Sequence, residues 1–516
     1  MRVTNLMITR GMLGNIMTNK ADMNKKYEQY ATRQKIQNPS DDPVVAIRAL
    51  KYRSNLSELE QYRTKNVEDA ASWMDATESA LTNMNDLLTE LYDKCVAGAS
   101  DTYETIDRDS MEQSLLNSKE EIYRSMNADN AGRYLFSGYR TNTSVCYTKD
   151  DSSKKYTITE TLSFQNLYEK TYVKGGATYD TNKTAEDYKK EAPTTDKAYV
   201  LDLGYKDLAA LNKLTVTDKN GAEVTFTIAT KNSTDADCYT AGTNTVNFIA
   251  DTGQIVISDD LYEAFRTAKS VVAEYDKTNF KTGDVRPEMY YDCTSVELDS
   301  TGNPKVDTQK TYTKPEDQDI KYDVNFGQQL KVNVLANETI NSSYARAIDN
   351  ILDALNDAYN TQSEIDNANL LMSDSNKSPD EIAALSTLKE QLETELTLKK
   401  SILRESFASA QTATKNAQNG TKVPYINENG ETEIKKISVS IATTSIGSRS
   451  ARLKMIQTRL EDLKINFTDL RDTNEVVDLE EAVVNYTAAQ TAYNAALNAA
   501  GRMVQNSLLD LSLIHI

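Results

Sequence analysis

One histidine, His515, and four widely spaced cysteines, Cys95, Cys146, Cys238 and Cys293, are all that the sequence offers to imidazole and thiol chemistry. A Ser-His-Asp or Cys-His nucleophile, a histidine general base and a histidine-ligated zinc therefore have no material in the body of the chain. The cysteine spacings match no metal motif and read as free thiols rather than a disulfide framework. Carboxylate pairs abound, but with 77 acidic residues in the chain they carry little information, and no glycine-rich phosphate loop is present. Catalytic, cofactor and metal residues are expected to be none. The polar residues whose spacing is informative lie in two short stretches. Gln37-Asn-Pro-Ser-Asp-Asp42 with Pro43, and Arg471–Asp478, offer capping and ion-pair chemistry rather than bond-making.

Both stretches interrupt long helical rhythms. Near the C-terminus Leu453, Ile456, Leu460, Leu463, Phe467 and Leu470 recur every three or four residues, and the rhythm resumes at Leu479, Val483, Tyr486, Gln490, Tyr493, Leu497, Ala500 and Val504. The step from Leu470 to Leu479 fits no heptad phase, so one straight helix cannot keep both stripes on a single face. Near the N-terminus Leu6, Leu13, Ile16, Met23, Tyr27 and Tyr30 form a weaker seam that stops at Pro39 and Pro43. The simplest arrangement pairs the two outer segments with each other and the two inner segments with each other, as coiled coils. Leu6, Leu13, Ile16, Met23 and Tyr27 would then form an interface with Leu479, Val483, Tyr486, Tyr493, Leu497 and Val504. Pro39, Asp41, Asp42, Pro43 and Arg471 would form the hinge between the pairs, where an Asp–Arg ion pair could set the angle. The N-terminal seam, broken by Thr9, Lys20 and Gln34, is expected to fray in an isolated subunit.

Between the breaks, Ser40 is expected to cap a helix running from about Val44 to Gly98, with Asp41 and Asp42 near its positive end and Pro43 in its first turn. Ala70, Met74, Leu81, Met84, Leu88 and Leu91 mark its seam, and Trp73 and the methionines read as core rather than as a binding box. A break at Gly98 and Asp101 precedes a helix over about Ile106–Asn130, with Met111, Leu115 and Ile122 on one face. From residue 141 to about 320 alternation replaces the heptads. Leu214-Thr-Val216 and Val224-Thr-Phe-Thr-Ile228 flank Asn220-Gly221, and Val246-Asn-Phe248 and Ile255-Val-Ile257 flank Asp251-Thr-Gly253, both as hairpins. This all-β insert, in one or two lobes, reads as removable, because its ends must meet for the helical part to close. Helix returns near Asn341, and Ser378-Pro-Asp-Glu381 is a capping box opening a helix to Asn419-Gly420. Thr421–Thr443 reads as a second small β insert, with Asn429-Gly430 turning between Val423-Pro-Tyr425 and Ile437-Ser-Val-Ser-Ile441.

The expected fold is mainly α with β inserts. Residues 1–40 with 477–516 form a terminal coiled-coil domain. Residues 41–140 with 320–476 form a helical rod carrying the hairpin at 421–443, and residues 141–319 form a variable β-rich outer domain. A net charge of −19 argues against nucleic acid and anionic membranes as partners. No run of about 18 apolar residues exists to span a bilayer, so membrane insertion is not expected. The polar, periodic N-terminus reads as lacking a cleaved secretory signal.

Gln37-Asn-Pro-Ser-Asp-Asp-Pro-Val-Val-Ala-Ile-Arg-Ala-Leu50, Asn66-Val-Glu-Asp-Ala-Ala-Ser-Trp-Met74, Thr77–Leu81 and Tyr134-Leu-Phe-Ser-Gly-Tyr139 resemble the flagellin family, on the side of its hook–filament junction members. So do Ile446–Arg452, Val477-Asp-Leu-Glu-Glu-Ala482, Ala495–Leu497 and Gln505-Asn-Ser-Leu-Leu-Asp510. The likeness covers roughly 1–140 and 320–510 and leaves the β insert out. It implies a secreted structural subunit of the extracellular flagellum, exported unfolded through the type III apparatus with a chaperone. It also implies a homo-oligomeric ring built by the terminal coiled coils, an inner-tube place for the terminal domain, and hook-associated protein 1 and flagellin as neighbours. Flagellin itself is the alternative, although Asp41-Asp-Pro-Val-Val45 replaces the Asp-Asp-Ala-Ala-Gly usual there. An adhesin on the insert is a more distant one. The hairpin at 421–443 interrupts a helix that is continuous in the family. Leu511-Ser-Leu-Ile-His-Ile516 extends beyond the family's usual end and equals one translation of a common transposon-derived adapter, so it reads as foreign to the natural chain.

Overall fold

The computed structural model describes residues 5–100, 105–162, 166–299, 301–341, 343–374, 377–426 and 432–515. The helices are α1 (Asn5–Thr32), α2 (Pro43–Gln61), α3 (Val67–Gly98), α4 (Thr105–Met126), α5 (Ala185–Lys190) and α6 (Tyr262–Arg266). They continue with α7 (Pro287–Tyr290), α8 (Ala336–Thr339), α9 (Ser343–Met372), α10 (Pro379–Asn419), α11 (Val439–Glu475) and α12 (Leu479–His515). The first strands are β1 (Asp129–Asn130), β2 (Arg133–Tyr134), β3 (Lys154–Leu162), β4 (Tyr168–Lys174), β5 (Thr194–Asp202), β6 (Ala210–Thr217), β7 (Thr227–Lys231) and β8 (Thr245–Ile249). The remainder are β9 (Gln254–Ile257), β10 (Ser270–Lys277), β11 (Asp292–Glu297), β12 (Lys310–Tyr312), β13 (Lys321–Asn325), β14 (Gln328–Lys331), β15 (Thr421–Ile426) and β16 (Thr432–Ile437). The fold is mainly α with β inserts.

Contacts divide the chain into two units, Met1–Asp69 with Tyr322–Leu330 and Arg452–Ile516, and Ala70–Lys321 with Lys331–Ala451. The chain passes between them inside α3, inside α11 and at either end of the β13–β14 hairpin. In the first unit Ala46, Ala49 and Leu59 of α2 and Leu453, Ile456 and Leu460 of α11 are buried. A single π-helical turn, Tyr62–Asn66, separates α2 from α3. The hairpin tip places Phe326 edge-on to Tyr62 at 5.5 Å and to Phe467 at 6.4 Å, a geometry aromatic rings favour. Asn66 Nδ2 donates to Asp323 O at 2.7 Å. Glu60 takes Arg63 at 2.9 Å and Lys464 at 3.0 Å, and these two cations hold its carboxyl down at about 2.

In the second unit Ala70, Met74, Leu81, Met84, Leu88 and Leu91 are all buried on one side of α3, and Trp73 is buried beside them. Ser378 and Glu381 cap α10 reciprocally, Ser378 N donating to Glu381 Oε2 at 2.8 Å and Glu381 N to Ser378 Oγ at 3.2 Å. The insert holds two five-stranded sheets, β12-β11-β3-β10-β6 and β4-β5-β9-β8-β7. The β8–β9 hairpin turns at Gly253, φ 65°, where a Cβ would stand 2.0 Å from the Tyr205 carbonyl, so only glycine fits.

Two local expectations change. Asn220-Gly221 does make a turn, with Asp218 N donating to Ala222 O at 2.8 Å, but β7 leaves it to pair in parallel with β8 in the other sheet. Ile437-Ser-Val-Ser-Ile441 alternates like a strand, yet β16 ends at Ile437 and α11 begins at Val439. The reason is Ser438, whose Oγ accepts from Ile441 N at 3.0 Å as an N-cap, and Val439, Ala442 and Ile446 then bury one helical face. Asn429-Gly430 and Asp101 lie outside the described residues.

The insert is also less separable than its composition suggests. Its ends do meet, with Tyr139 N donating to Gln318 Oε1 at 3.1 Å. But Ala177 and Tyr188 complete the apolar core of the α9–α10 hairpin around Ala358, Ile365, Leu385, Leu388 and Leu392. Lys206 pairs with Asp353 at 2.7 Å, and the buried Arg346 guanidinium donates to Thr252 O through Nη2. Arg346 Nε and Nη1 find no partner among the described residues. Removing the insert would uncover this core and leave a buried cation without its carbonyl. A variant lacking residues 145–315 is therefore expected to aggregate or to lose its cooperative melting transition, checked by size-exclusion chromatography and calorimetry.

At the centre of the insert the Glu160 carboxyl accepts from Tyr275 OH at 2.7 Å and Gly204 N at 2.9 Å. Burial is the larger influence and raises its pKa. The native state thus holds this proton more tightly than the unfolded chain does. Glu160 costs nothing below the ordinary glutamate value, and stability is lost as pH rises from there through the raised value. Glu160→Gln is expected to melt close to the parent in mildly acidic buffer and progressively above it as pH rises, read from melting curves across that range.

Candidate functional site

The candidate site is the pair of terminal helices and the break at their base, all within one unit. Among the described residues no group of three histidine, cysteine or acidic side chains is placed to hold a metal ion. The four thiols are free and buried, and desolvation pushes each above its usual value, Cys95 to about 12.

The break is built by backbone chemistry. Arg33, at φ 59°, turns the chain out of α1. Lys35 N then donates to Glu475 O at 2.8 Å and Val477 N to Arg33 O at 3.0 Å, forming an antiparallel bridge between Gln34 and Val476. Each helix beyond restarts on an aspartate. Asp42 accepts from Val44 N at 3.0 Å and Val45 N at 3.1 Å with Pro43 opening α2, and Asp478 Oδ1 accepts from Glu480 N at 2.9 Å. Asp42, not Ser40, is the cap, because the residue preceding the first-turn proline holds the extended conformation that a cap needs. Asp41 closes the turn that contains Pro39, accepting from Asn38 N at 2.9 Å and Gln37 N at 3.0 Å, and these amides hold its carboxyl below the usual range.

The expected Asp–Arg lock does not form, because both aspartates are occupied by backbone amides. Arg471 instead turns to its neighbour Asp472, with Nη2 at 2.8 Å. The ion pair that joins the two sides is Arg53–Glu475, in which Nε donates to Oε1 at 3.0 Å and to Oε2 at 3.1 Å. Glu475 is 9% exposed, and Asn474 Nδ2 adds a bond to Val45 O at 3.0 Å. Glu475 lies inside the stretch singled out from sequence, but its partner Arg53 is eleven positions beyond the other stretch, and only the turn geometry brings them together.

Above the bridge α1 and α12 pack along a narrow line. Tyr486 lies 5.6 Å from Tyr27 and stacks on Tyr30 at 6.1 Å. Ile16, Met23, Tyr486 and Tyr493 of the expected interface fall on the half-buried stripe, with Ala489 between the two tyrosines and Ala482, Ala496 and Ala500 on the same line before and after them. Leu6, Leu13, Tyr27, Leu479, Val483 and Leu497 do not; they remain 42–63% exposed. The side chain of Val504 lies outside the described residues. Alanines on the contact line let the backbones approach and turn the larger residues of α12 to its flanks, so the two helices cannot cover them. On the far side of α12 Val483, Val484, Thr487, Ala488, Thr491, Ala492 and Ala495 line an open groove of about 640 Å³. Spacing identified the apolar residues of these helices but assigned the large ones, rather than the alanines, to the contact line.

Residues 3–141 match the family described as bacterial flagellin N-terminal helical region. Flagellar hook-associated protein 3 of Salmonella typhimurium is 28% identical over 142 residues, which are 27% of this chain and 44% of that protein. The chain thus spans less than half the length of that curated relative. Among solved structures, flagellar hook associated protein-3 from Legionella pneumophila is 12% identical, covering 82% of this chain and 97% of that one at a TM-score of 0.28. FlgL of Xanthomonas campestris is 11% identical, covering 70% and 93% at a TM-score of 0.21.

Replacing Arg53 leaves the Glu475 carboxylate enclosed without its cation, whereas Arg471 only serves an adjacent, half-exposed aspartate. Arg53→Ala is expected to cost about 1–2 kcal/mol of stability and Arg471→Ala less than about 0.5 kcal/mol. Urea unfolding of the two variants beside the parent measures both.

Proposed function

We propose that this chain is a non-catalytic structural subunit of the bacterial flagellum, placed at the junction between the hook-associated ring and the flagellin filament. The flagellin-type N-terminal region and the name of the curated relative favour a flagellar role, and that name favours a hook-associated place over the filament itself. The observation that carries the reading is the two-sided character of the terminal helix pair. Its contact line is satisfied within the chain, while Leu6, Leu13, Leu479, Val483 and Leu497 stand exposed on the flanks. Exposed apolar stripes on long helices are covered in assemblies, where each copy offers the same surface to its neighbour and closes a ring.

On this reading residues 1–40 with 477–516 form the polymerising domain, and Asp41, Asp42 and the Arg53–Glu475 pair fix how the helices leave it. The ring sits on hook-associated protein 1 and receives flagellin above. The chain reaches that place through the type III apparatus, escorted by an export chaperone.

Charge placed at an exposed flank separates assembly from folding. Leu497 is 42% exposed, so Leu497→Asp is expected to leave the monomer's melting temperature nearly unchanged. In a ring the same carboxylate would be buried unpaired, at a cost of several kcal/mol. In a strain lacking its own junction protein the parent chain should restore motility and filament retention, and the variant should shed filament protein into the medium. Full motility with the variant would remove the flank from the interface, and failure of the parent chain to restore retention would contradict the junction role.

A further inference from the structure

Beside the turn that joins α9 to α10, far in sequence from the terminal helices, lies a cavity of about 510 Å³ with leucines on its walls and Thr178 and Asn367 among its polar lining. Leu388 and Leu392 of α10, both buried, line it, and Leu371 packs partly buried against the same core. Leu370, 71% exposed, and Tyr179, 45% exposed, bring large apolar surface to its rim. One charged group lines it. Glu364 has no hydrogen-bond or ion-pair partner among the described residues. Lys399, the cation that acts on Glu364, is already engaged, pairing with Glu395 at 2.8 Å and donating to Thr361 Oγ1 at 2.8 Å.

We propose that this cavity is a docking site for a partner protein segment that carries a large apolar side chain beside a lysine or arginine. The apolar side chain enters between Leu388 and Leu371, and the cation meets Glu364. Charge complementarity selects the partner, since an unpaired carboxylate on a chain of net charge −19 attracts a basic segment and repels an acidic one. The rim selects a protein segment over a small free amine, because Leu370 and Tyr179 offer contact area outside the cavity that a ligand contained within it would leave wet. Partial burial beside the Glu395 carboxylate raises the Glu364 pKa, and a bound cation would relieve it. The site is independent of the flagellar reading.

The test uses the full chain with leucine methyls labelled for NMR, and three probes. They are an amphipathic peptide of leucine and lysine, the same peptide with glutamate for lysine, and hexylamine. The lysine peptide is expected to shift the methyls of Leu370, Leu371, Leu388 and Leu392 and to bind more tightly than the other two. Glu364→Gln should weaken it about two- to fivefold and narrow its margin over the glutamate peptide. Leu370→Ser, an exposed change that keeps the parent's melting curve, should weaken it about tenfold. Four results overturn the proposal. They are equal binding of the glutamate peptide, hexylamine binding as tightly as the lysine peptide, shifts confined to α12 leucines, or no shift at all.

Discussion

Two backbone hydrogen bonds, Lys35 N to Glu475 O and Val477 N to Arg33 O, fix the register from which the terminal region is built. They tie together residues more than four hundred positions apart in the chain, so the start of α12 is placed opposite the end of α1. A helix rises about 1.5 Å per residue, so a slip of one residue at the bridge would move every later pair along the line. Tyr486 would then miss Tyr27 and Tyr30, and the alanines of α12 would no longer face the seam. The aspartate caps serve the same register from outside. Asp478 begins α12 two residues beyond the bridge, and Asp42 begins α2 beyond the turn that Asp41 closes, so neither side has slack to take up.

Much of this was legible in the chain. Capping boxes, first-turn prolines and three-four spacing state local preferences, and local preferences are what a sequence records directly. The Ser378 box and the buried stripe of α3 follow from such signals alone. The assignment of faces in the terminal pair did not. Leu6, Leu13 and Leu497 are as hydrophobic as any seam residue, and only a count of how many helices surround the pair decides which stripe turns inward. Ser438 shows the same limit at short range. One serine hydroxyl aimed at a backbone amide turned an alternating stretch into the start of a helix. Arg53 and Glu475 carry no sequence signal of partnership, because long-range ion pairs are set by turns whose geometry no spacing rule contains.

The insert joins the helical part by the currency of a core rather than of a linker. Tyr188 supplies a ring to a helical hairpin, and Arg346 supplies a cation to an insert carbonyl, so each side completes the other's packing. Composition suggested a decoration because threonine, tyrosine and lysine replace leucine there. Tyrosine, however, buries area as leucine does while keeping a hydroxyl for a partner. Tyr290 shows this in one residue, buried and donating to Ile340 O at 3.0 Å.

The sealed thiols have a consequence for the chain's history rather than for its final state. Once folded, none of the four cysteines presents a thiolate to an oxidant, so the native molecule is indifferent to whether its surroundings are reducing or oxidising. Before folding, all four are in water, with ordinary acidity and free to pair in any combination. Chemical vulnerability is therefore confined to the interval between synthesis and burial. Speed of folding does for this protein what a disulfide framework does for others: it decides which sulfur chemistry can ever occur.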